Sequence, residues 1–336
     1  MSSINVPVAH STPGGIKVVD FSPFIDGSEA GEAIVSSFKE TGFVYLVNHG
    51  LGQDKIDQMF NWSQKFFTLP LELKQLAPHP ADGSHHRGYS APGVEKVRHM
   101  GSESATDKPK TTTSLDVKES FEVGRENDLA MPNILLPEGV LPGFNEACLD
   151  FFWTCFETAK QVFRALAVGF HLEEDYFLKY HTRPDNQLRL LHYPSVSTQK
   201  LNEDEIVRIG AHSDFCSLTL LMQDEVGGLE VEDPKNPGKF QSAPPINRAI
   251  IVNAGDFLMR WSNDTIRSTI HRVRAPPGLT TKDGMTPERY SIPYFCAADF
   301  DKVVDCVPGT FGPENPKKYK PISSGEYIKE RLAFNY

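Results

Sequence analysis

The chain has 336 residues, 39% of them apolar and 10% aromatic, which suits a globular protein with a large core. Its net charge of −10, without any long Lys/Arg run, argues against nucleic acid as a partner. No stretch is apolar over the length of a membrane span, and the opening MSSINVPVAHSTPGG lacks the pattern of a secretion signal.

The first dozen residues read as disordered. IKVVDFSPF then reads as a short strand leaving through a proline turn. Ser28 is placed to cap a helix to about Lys39, with Ile34, Val35 and Phe38 on one face and Gly42 as its stop. GFVYLVNHG is a β-prone run closed by a turn, and its His49 reads as a turn or core histidine. A helix follows over about 53–67. Residues 79–118 are rich in Ser, Thr, Pro, Gly, His and Lys and read as a long surface segment, a candidate lid, because loops of that length seldom lack a role. His85, His86 and His99 within it read as solvated side chains, not as a second metal site.

The clearest helix is 144–170, where Phe144, Cys148, Phe151, Phe152, Cys155, Phe156, Ala159, Val162, Phe163, Leu166 and Phe170 recur at steps of three and four. So broad an apolar face needs a sheet against it. Cys148 and Cys155 read as small apolar filler on that face. All five cysteines (148, 155, 216, 296 and 306) are scattered without a C-x-x-C pair, which fits a reduced, cytoplasmic compartment. A shorter helix is expected over about 173–180.

From about 187 the texture changes to short β-prone segments separated by turns: QLRLLHYPSV, SLTLLMQ, GLEVE, AIIVNAGDF, STIHRVR and RYSIPYF. Their spacing predicts a sandwich or barrel. A last helix is expected over about 323–333. The plan is a helical and mixed region over 1–180 and a double sheet over 181–336, within one structural unit.

Two short patterns in the second half carry chemistry. In GAHSDF, His212 and Asp214 stand two apart at the head of a β-prone run, so their side chains share one face. His271, in STIHRVR, supplies a second imidazole. Two imidazoles and one carboxylate leave adjacent coordination positions open, which suits non-haem Fe(II) binding a co-substrate and O2. Zinc hydrolases also use two histidines and one acid, but the helical H-E-x-x-H spacing is absent. In ERYSIPYF, Arg289 and Ser291 likewise share a strand face. A guanidinium fork beside a hydroxyl matches a carboxylate.

Taken together, His212-x-Asp214…His271…Arg289-x-Ser291 resembles the signature of the Fe(II)/2-oxoglutarate-dependent dioxygenases of the isopenicillin N synthase-like group. GFVYLVNHG, KFFTLPLELK and AGDFLMRWSNDTIRSTIHRV resemble further segments of that group, so the likeness covers about 16–333. The resemblance implies a mainly β fold with flanking helices, a double-stranded β-helix or jelly roll. It implies Fe(II) on His212, Asp214 and His271, 2-oxoglutarate on Arg289 and Ser291 with Tyr193 near its C1 end, and O2 as oxidant. Many members carry Asn two residues before that tyrosine; here it is Leu191.

HRGYSAPGVEKV, KESFEVGREN, LRLLHYPSV, GGLEV and RWSNDTIRSTIHRV are similar to the fungal thymine 7-hydroxylase-like subgroup. That likeness implies a flat substrate between Phe215 and Phe295 with Arg189 nearby. Tyrosine is the expected residue at 215; phenylalanine keeps the stacking face and loses a hydroxyl. The implied activity is oxidation of a small molecule, a pyrimidine or similar heterocycle, most simply by hydroxylation, with succinate and CO2 released. The alternatives are a fungal-type secondary-metabolite oxidase that desaturates, cyclises or rearranges its substrate, and a non-catalytic 2-oxoglutarate-binding protein. No obligate protein partner is evident.

Overall fold

A computed structural model of the chain describes residues 10–12, 14–22, 28–81, 85–94, 115–203, 205–275, 278, 281 and 283–332. Two sheets face each other. The larger runs in the order His10–Ser11, Lys17–Asp20, Phe43–Val47, Ala249–Ala254, Leu218–Gln223, Arg289–Cys296, Gln187–Tyr193, Glu119–Val123, Gly88–Ser90. Its pairs are antiparallel except Lys17–Asp20 with Phe43–Val47. The smaller, wholly antiparallel sheet runs Phe240–Ser242, Leu229–Glu232, His271–Val273, Ile209–His212. This is the expected two-sheet, jelly-roll arrangement, although neither sheet closes on itself.

The period of two along each strand divides the side chains between two cores. Leu218, Leu220 and Met222, with Ile292, Tyr294, Leu188 and Leu190, face the helices and join the main core. On the opposite face Phe43, Tyr45, Ile251, Leu191 and Tyr193 meet Ile209, Leu229, Val231 and Val273 of the small sheet in a second core.

The helix Phe144–Gly169 buries the face anticipated from its spacing, Cys148 and Cys155 included. It crosses the helix Ser28–Glu40 at two glycines. A Cβ on Gly31 would lie 2.3 Å from Ala165 O, and one on Gly169 would lie 2.2 Å from Gly31 O, so only glycine allows the backbones this close. Phe66, Phe121 and Phe144 meet with ring centroids 4.7 to 5.1 Å apart. Each such pair contributes about 0.5–1.5 kcal/mol beyond area burial. The trio ties the helix Gln53–Phe67 and the strand Glu119–Val123 to the long helix. Gly42 ends the first helix at φ 75°, as anticipated.

Several expectations are corrected. Of the opening dozen, His10–Ser11 forms an edge strand against Lys17–Val18 and Thr12 is buried. Over 173–180 only a 3-10 turn, Leu178–Tyr180, forms. Bonds from Tyr176 N to Glu173 O and from Lys179 N to Asp175 O mix three- and four-residue spacing, because Tyr176 and Phe177 turn inward onto Trp261. The stretch 79–118 is not wholly surface: Gly88–Ser90 is a buried strand of the large sheet, and Asp116 and Lys118 are buried. The opening nine residues, 95–114 with His99, and the side chain of Ser28 lie outside the described residues. Among the described residues no helix is long and apolar enough to cross a membrane.

Candidate active site

The register of the small sheet brings the two histidines together, since His271 is the cross-strand partner of His212. Their ring centroids lie 4.3 Å apart. Asp214 follows two residues after His212, where its backbone O accepts from Asp256 N at 2.7 Å. Its Oδ1 lies 3.9 Å from His212 Nε2 and 3.7 Å from His271 Nε2.

Each imidazole is oriented from behind. His212 Nδ1 is 2.9 Å from Gly210 O, and His271 Nδ1 is 3.2 Å from Thr269 O. A proton on Nδ1 satisfies each carbonyl and leaves the Nε2 lone pair directed at the cluster, as metal-binding histidines require. Asp214 Oδ2 accepts from Thr219 Oγ1 at 2.6 Å and from Asn253 Nδ2 at 2.8 Å, leaving Oδ1 toward the histidines. Burial pushes His212 down to about 4, reinforced by His271 beside it, so it is neutral at ordinary pH. Burial alone would raise the Asp214 carboxyl. The two imidazoles, Asn253 and Thr219 outweigh it and hold the group below the usual carboxylate range. The neutral His212 imidazole, the ionised Asp214 carboxylate and the His271 ring, with ligand atoms all within 4.8 Å, form a donor set that fits Fe(II).

The cluster opens into a cavity of about 240 Å3 between the sheets. One rung of the large sheet, Phe43–Asn253–Thr219–Phe295–Gln187, forms part of its wall. Further along, Arg289 is fully buried. Its guanidinium donates to Gly227 O at 2.6 Å, Ser291 Oγ at 3.1 Å and Gln223 Oε1 at 3.3 Å, all uncharged acceptors. Tyr193, its partner in register, lies beneath it with the ring 4.8 Å away. A second buried guanidinium, Arg208, lies 6.0 Å from the same ring and donates to Pro287 O. Burial and then the Arg289 charge pull Arg208 down to about 10. Asp224 lies near both guanidiniums, but Arg289, which lines the cavity, donates only to uncharged oxygens, and that makes this end receptive to an anion. Leu191 lines the wall and, being apolar, gives that end no side-chain hydrogen bond.

Phe215, Phe295 and Arg189 all line the cavity. Each ring is backed by an arginine, Arg189 at 5.6 Å from Phe295 and Arg331 at 5.7 Å from Phe215. Arg189 Nη2 pairs with Glu122 Oε1 at 2.8 Å. His85 and His86 also line the cavity, which corrects their expected solvation; they sit on the edge that leads into the buried strand Gly88–Ser90. His49 is the buried turn histidine anticipated, with Leu51 N donating to its Nδ1.

Sequence reasoning missed Thr219, Asn253, Gln223, Arg208, Glu122 and Arg331. Only Asn253 left a signal, a lone amide inside the apolar run AIIVNA.

The chain is similar to known proteins in sequence and fold. Residues 184–298 match the 2OG-Fe(II) oxygenase superfamily, and residues 16–138 match the family described as non-haem dioxygenase in morphine synthesis N-terminal. Proline hydroxylase buaE of Petromyces alliaceus is 38% identical over 96% of this chain and 99% of its own. The 2-oxoglutarate-dependent dioxygenase frbA of Dothideomycetidae sp. is 36% identical over 96% of this chain and 97% of its own. The thymine 7-hydroxylase of Neurospora crassa, in complex with alpha-KG and thymine, superposes with a TM-score of 0.85 at 40% identity, covering 98% of this chain and all of the other. The chain belongs to the 2OG-Fe(II) oxygenase superfamily. It is an oxidoreductase that uses Fe(II), 2-oxoglutarate and O2.

Proposed function

We propose that this dioxygenase hydroxylates a small polar ring compound, with a pyrimidine base or similar heterocycle as the first class to test. His212, Asp214 and His271 hold Fe(II) in this reading. Arg289 and Ser291 hold the distal carboxylate of 2-oxoglutarate, with Tyr193 beside its other end. Phe215, Phe295 and Arg189 bind the substrate. Iron, 2-oxoglutarate and O2 supply the oxidising chemistry, which releases succinate and CO2.

The observation that carries the substrate class is the ion pair of Arg189 with Glu122 at 2.8 Å, beside the half-buried Phe295 ring. The guanidinium offers donors on the cavity wall, and the buried Glu122 behind it fixes their direction. A ring that carries C=O can accept from it, and its face is taken up by Phe295 and Phe215. The two phenyl rings, with Ile328 from the last helix, also exclude water from the reacting centre.

A second reading is a secondary-metabolite oxidase acting on a cyclic amino acid. The name of the relative buaE, a proline hydroxylase, favours it, as does the hydroxyl missing at Phe215. An amino acid's carboxylate would match Arg189 equally well. Residues 1–180 and 181–336 act as one unit in either reading, because the large sheet draws strands from both. We also take the enzyme to be cytoplasmic and to need no protein partner; its five cysteines are free and buried.

The test is a panel of thymine, uracil, L-proline and related rings, with succinate formation and oxidised product followed together by mass spectrometry. Coupled product from a pyrimidine supports the first reading and from proline the second. Succinate no higher than in the substrate-free control across the panel overturns both.

A further inference from the structure

A second set of metal-binding atoms converges at the rim of the same cavity. His79 Nε2 lies 3.4 Å from His86 Nδ1, and His86 Nδ1 lies 3.5 Å from Glu122 Oε2. All three ligand atoms lie within 4.8 Å of one another. As hydrogen bonds, 3.4 and 3.5 Å are long and weak. As edges of a metal polyhedron they are ordinary: bonds of roughly 2.0–2.1 Å in a tetrahedral zinc site place neighbouring ligand atoms about 3.3–3.4 Å apart.

The outer contacts also suit a metal. His79 Nδ1 is 2.9 Å from Pro80 O, so the proton belongs on that nitrogen and the Nε2 lone pair turns to the cluster. The Glu122 side chain is 1% exposed and is held on two sides, Oε1 by Arg189 Nη2 at 2.8 Å and Oε2 by Gln187 Nε2 at 2.9 Å. Oε2 is the atom turned to His86. A carboxylate oxygen has capacity for both an amide and a metal, while Oε1 stays with Arg189. The nearby guanidiniums of Arg189 and buried Arg87 disfavour a hard cation that needs several carboxylates. Two imidazoles with a single carboxylate select a borderline metal such as zinc.

We propose that His79, His86 and Glu122 form a second divalent-metal site of zinc type, separate from His212, Asp214 and His271. The occupant would share Oε2 with Gln187. It would thereby fix the wall on which Arg189 stands, and it would tie the edge carrying His79 and His86 to the strand Glu119–Val123.

The probe is Zn2+, bound to the full-length chain by equilibrium dialysis and counted by elemental analysis. Wild type should hold two zinc ions per chain, His271→Ala one, and His79→Gln/His86→Gln one. The combined variant should hold none. Glu122→Gln keeps the size of the side chain but replaces one acceptor oxygen by an amide NH2, and should also hold one. Wild type holding a single zinc overturns the proposal. So does a second zinc that survives in His79→Gln/His86→Gln, since it lies elsewhere. If that double variant does not fold, His79→Gln alone, which changes a half-buried residue, should weaken the second zinc at least about tenfold. Unchanged affinity there overturns the site as well.

Discussion

Asn253 Nδ2 donates to Asp214 Oδ2 at 2.8 Å, on the side of the carboxylate turned away from the two histidines. The bond joins the middle of one sheet to the loop that ends a strand of the other. With Thr219 it decides which Asp214 oxygen is available to a metal. Removing such an outer contact typically lowers metal affinity about 10–100-fold. Asn253→Ala should therefore weaken binding of Fe(II), or of Mn(II) as an air-stable substitute, by that factor with the fold retained. Titration calorimetry without oxygen reads it. Affinity equal to wild type would mean that Asp214 is held by the backbone around it and not by the amide.

Arg289 is fully buried and donates only to neutral oxygens. A bound carboxylate would be its first charged acceptor among these. Hydrogen bonds to a charged group are each worth about 1.5–3 kcal/mol, so losing the fork should raise the 2-oxoglutarate requirement by roughly 100-fold. Arg289→Ala should do so and leave metal affinity within about twofold. Co-substrate KM and Mn(II) affinity, measured on the same preparation, separate the two effects. Loss of both together would count against a carboxylate role.

The parts of this site that the sequence revealed are those set by short-range rules. His212-x-Asp214 and Arg289-x-Ser291 share faces because strand side chains alternate, and that alternation is visible in one chain segment. The pairings of Thr219 with Asn253 and of His271 with His212 depend on register between strands far apart in sequence, which no local pattern encodes. The stretch 79–118 looked like surface because its composition is polar. Part of it is buried all the same: Tyr89, Ser90, Asp116 and Lys118 lie inside, and the Tyr89 hydroxyl donates to the buried Glu119 Oε2 at 2.6 Å, so its polar group is satisfied within the fold. The helix Phe144–Gly169 was legible almost to the residue because fourteen of its side chains or backbones are buried at helical spacing on one face.

The last helix, Ser324–Leu332, is fastened to the neighbours of Asp214. Arg331 Nη2 donates to Asp256 Oδ2 at 2.8 Å, Ser213 Oγ donates to the same oxygen at 3.1 Å, and the guanidinium stands over Phe215. Residues 213 and 215 flank Asp214. Arg331→Ala should loosen Phe215 and raise substrate KM by roughly tenfold, equivalent to about 1.4 kcal/mol. The KM for 2-oxoglutarate, whose proposed binders lie at the other end of the cavity, should stay unchanged. A parallel rise in both would point to general loss of structure.

Buried His181 gives the fold a pH dependence of defined sign. It is 3% exposed, with Phe163 3.9 Å away between ring centroids and Trp261 at 6.2 Å. Nδ1 lies 2.7 Å from Phe177 O. Burial pushes it from 6.5 down to about 4, against the opposing pull of the Phe177 carbonyl. The unfolded chain therefore takes up this proton first. Stability is complete above about pH 6.5 and falls as the pH drops toward 4. At about 1.4 kcal/mol per pH unit the loss reaches about 3 kcal/mol. His181→Gln should flatten the fall in urea midpoint between about pH 7 and 4.5, at the expense of some stability at neutral pH. His212 is depressed in the same direction but is present in both proteins, so the difference between the two curves isolates His181. Parallel curves would show that His181 keeps its ordinary proton affinity in the folded chain.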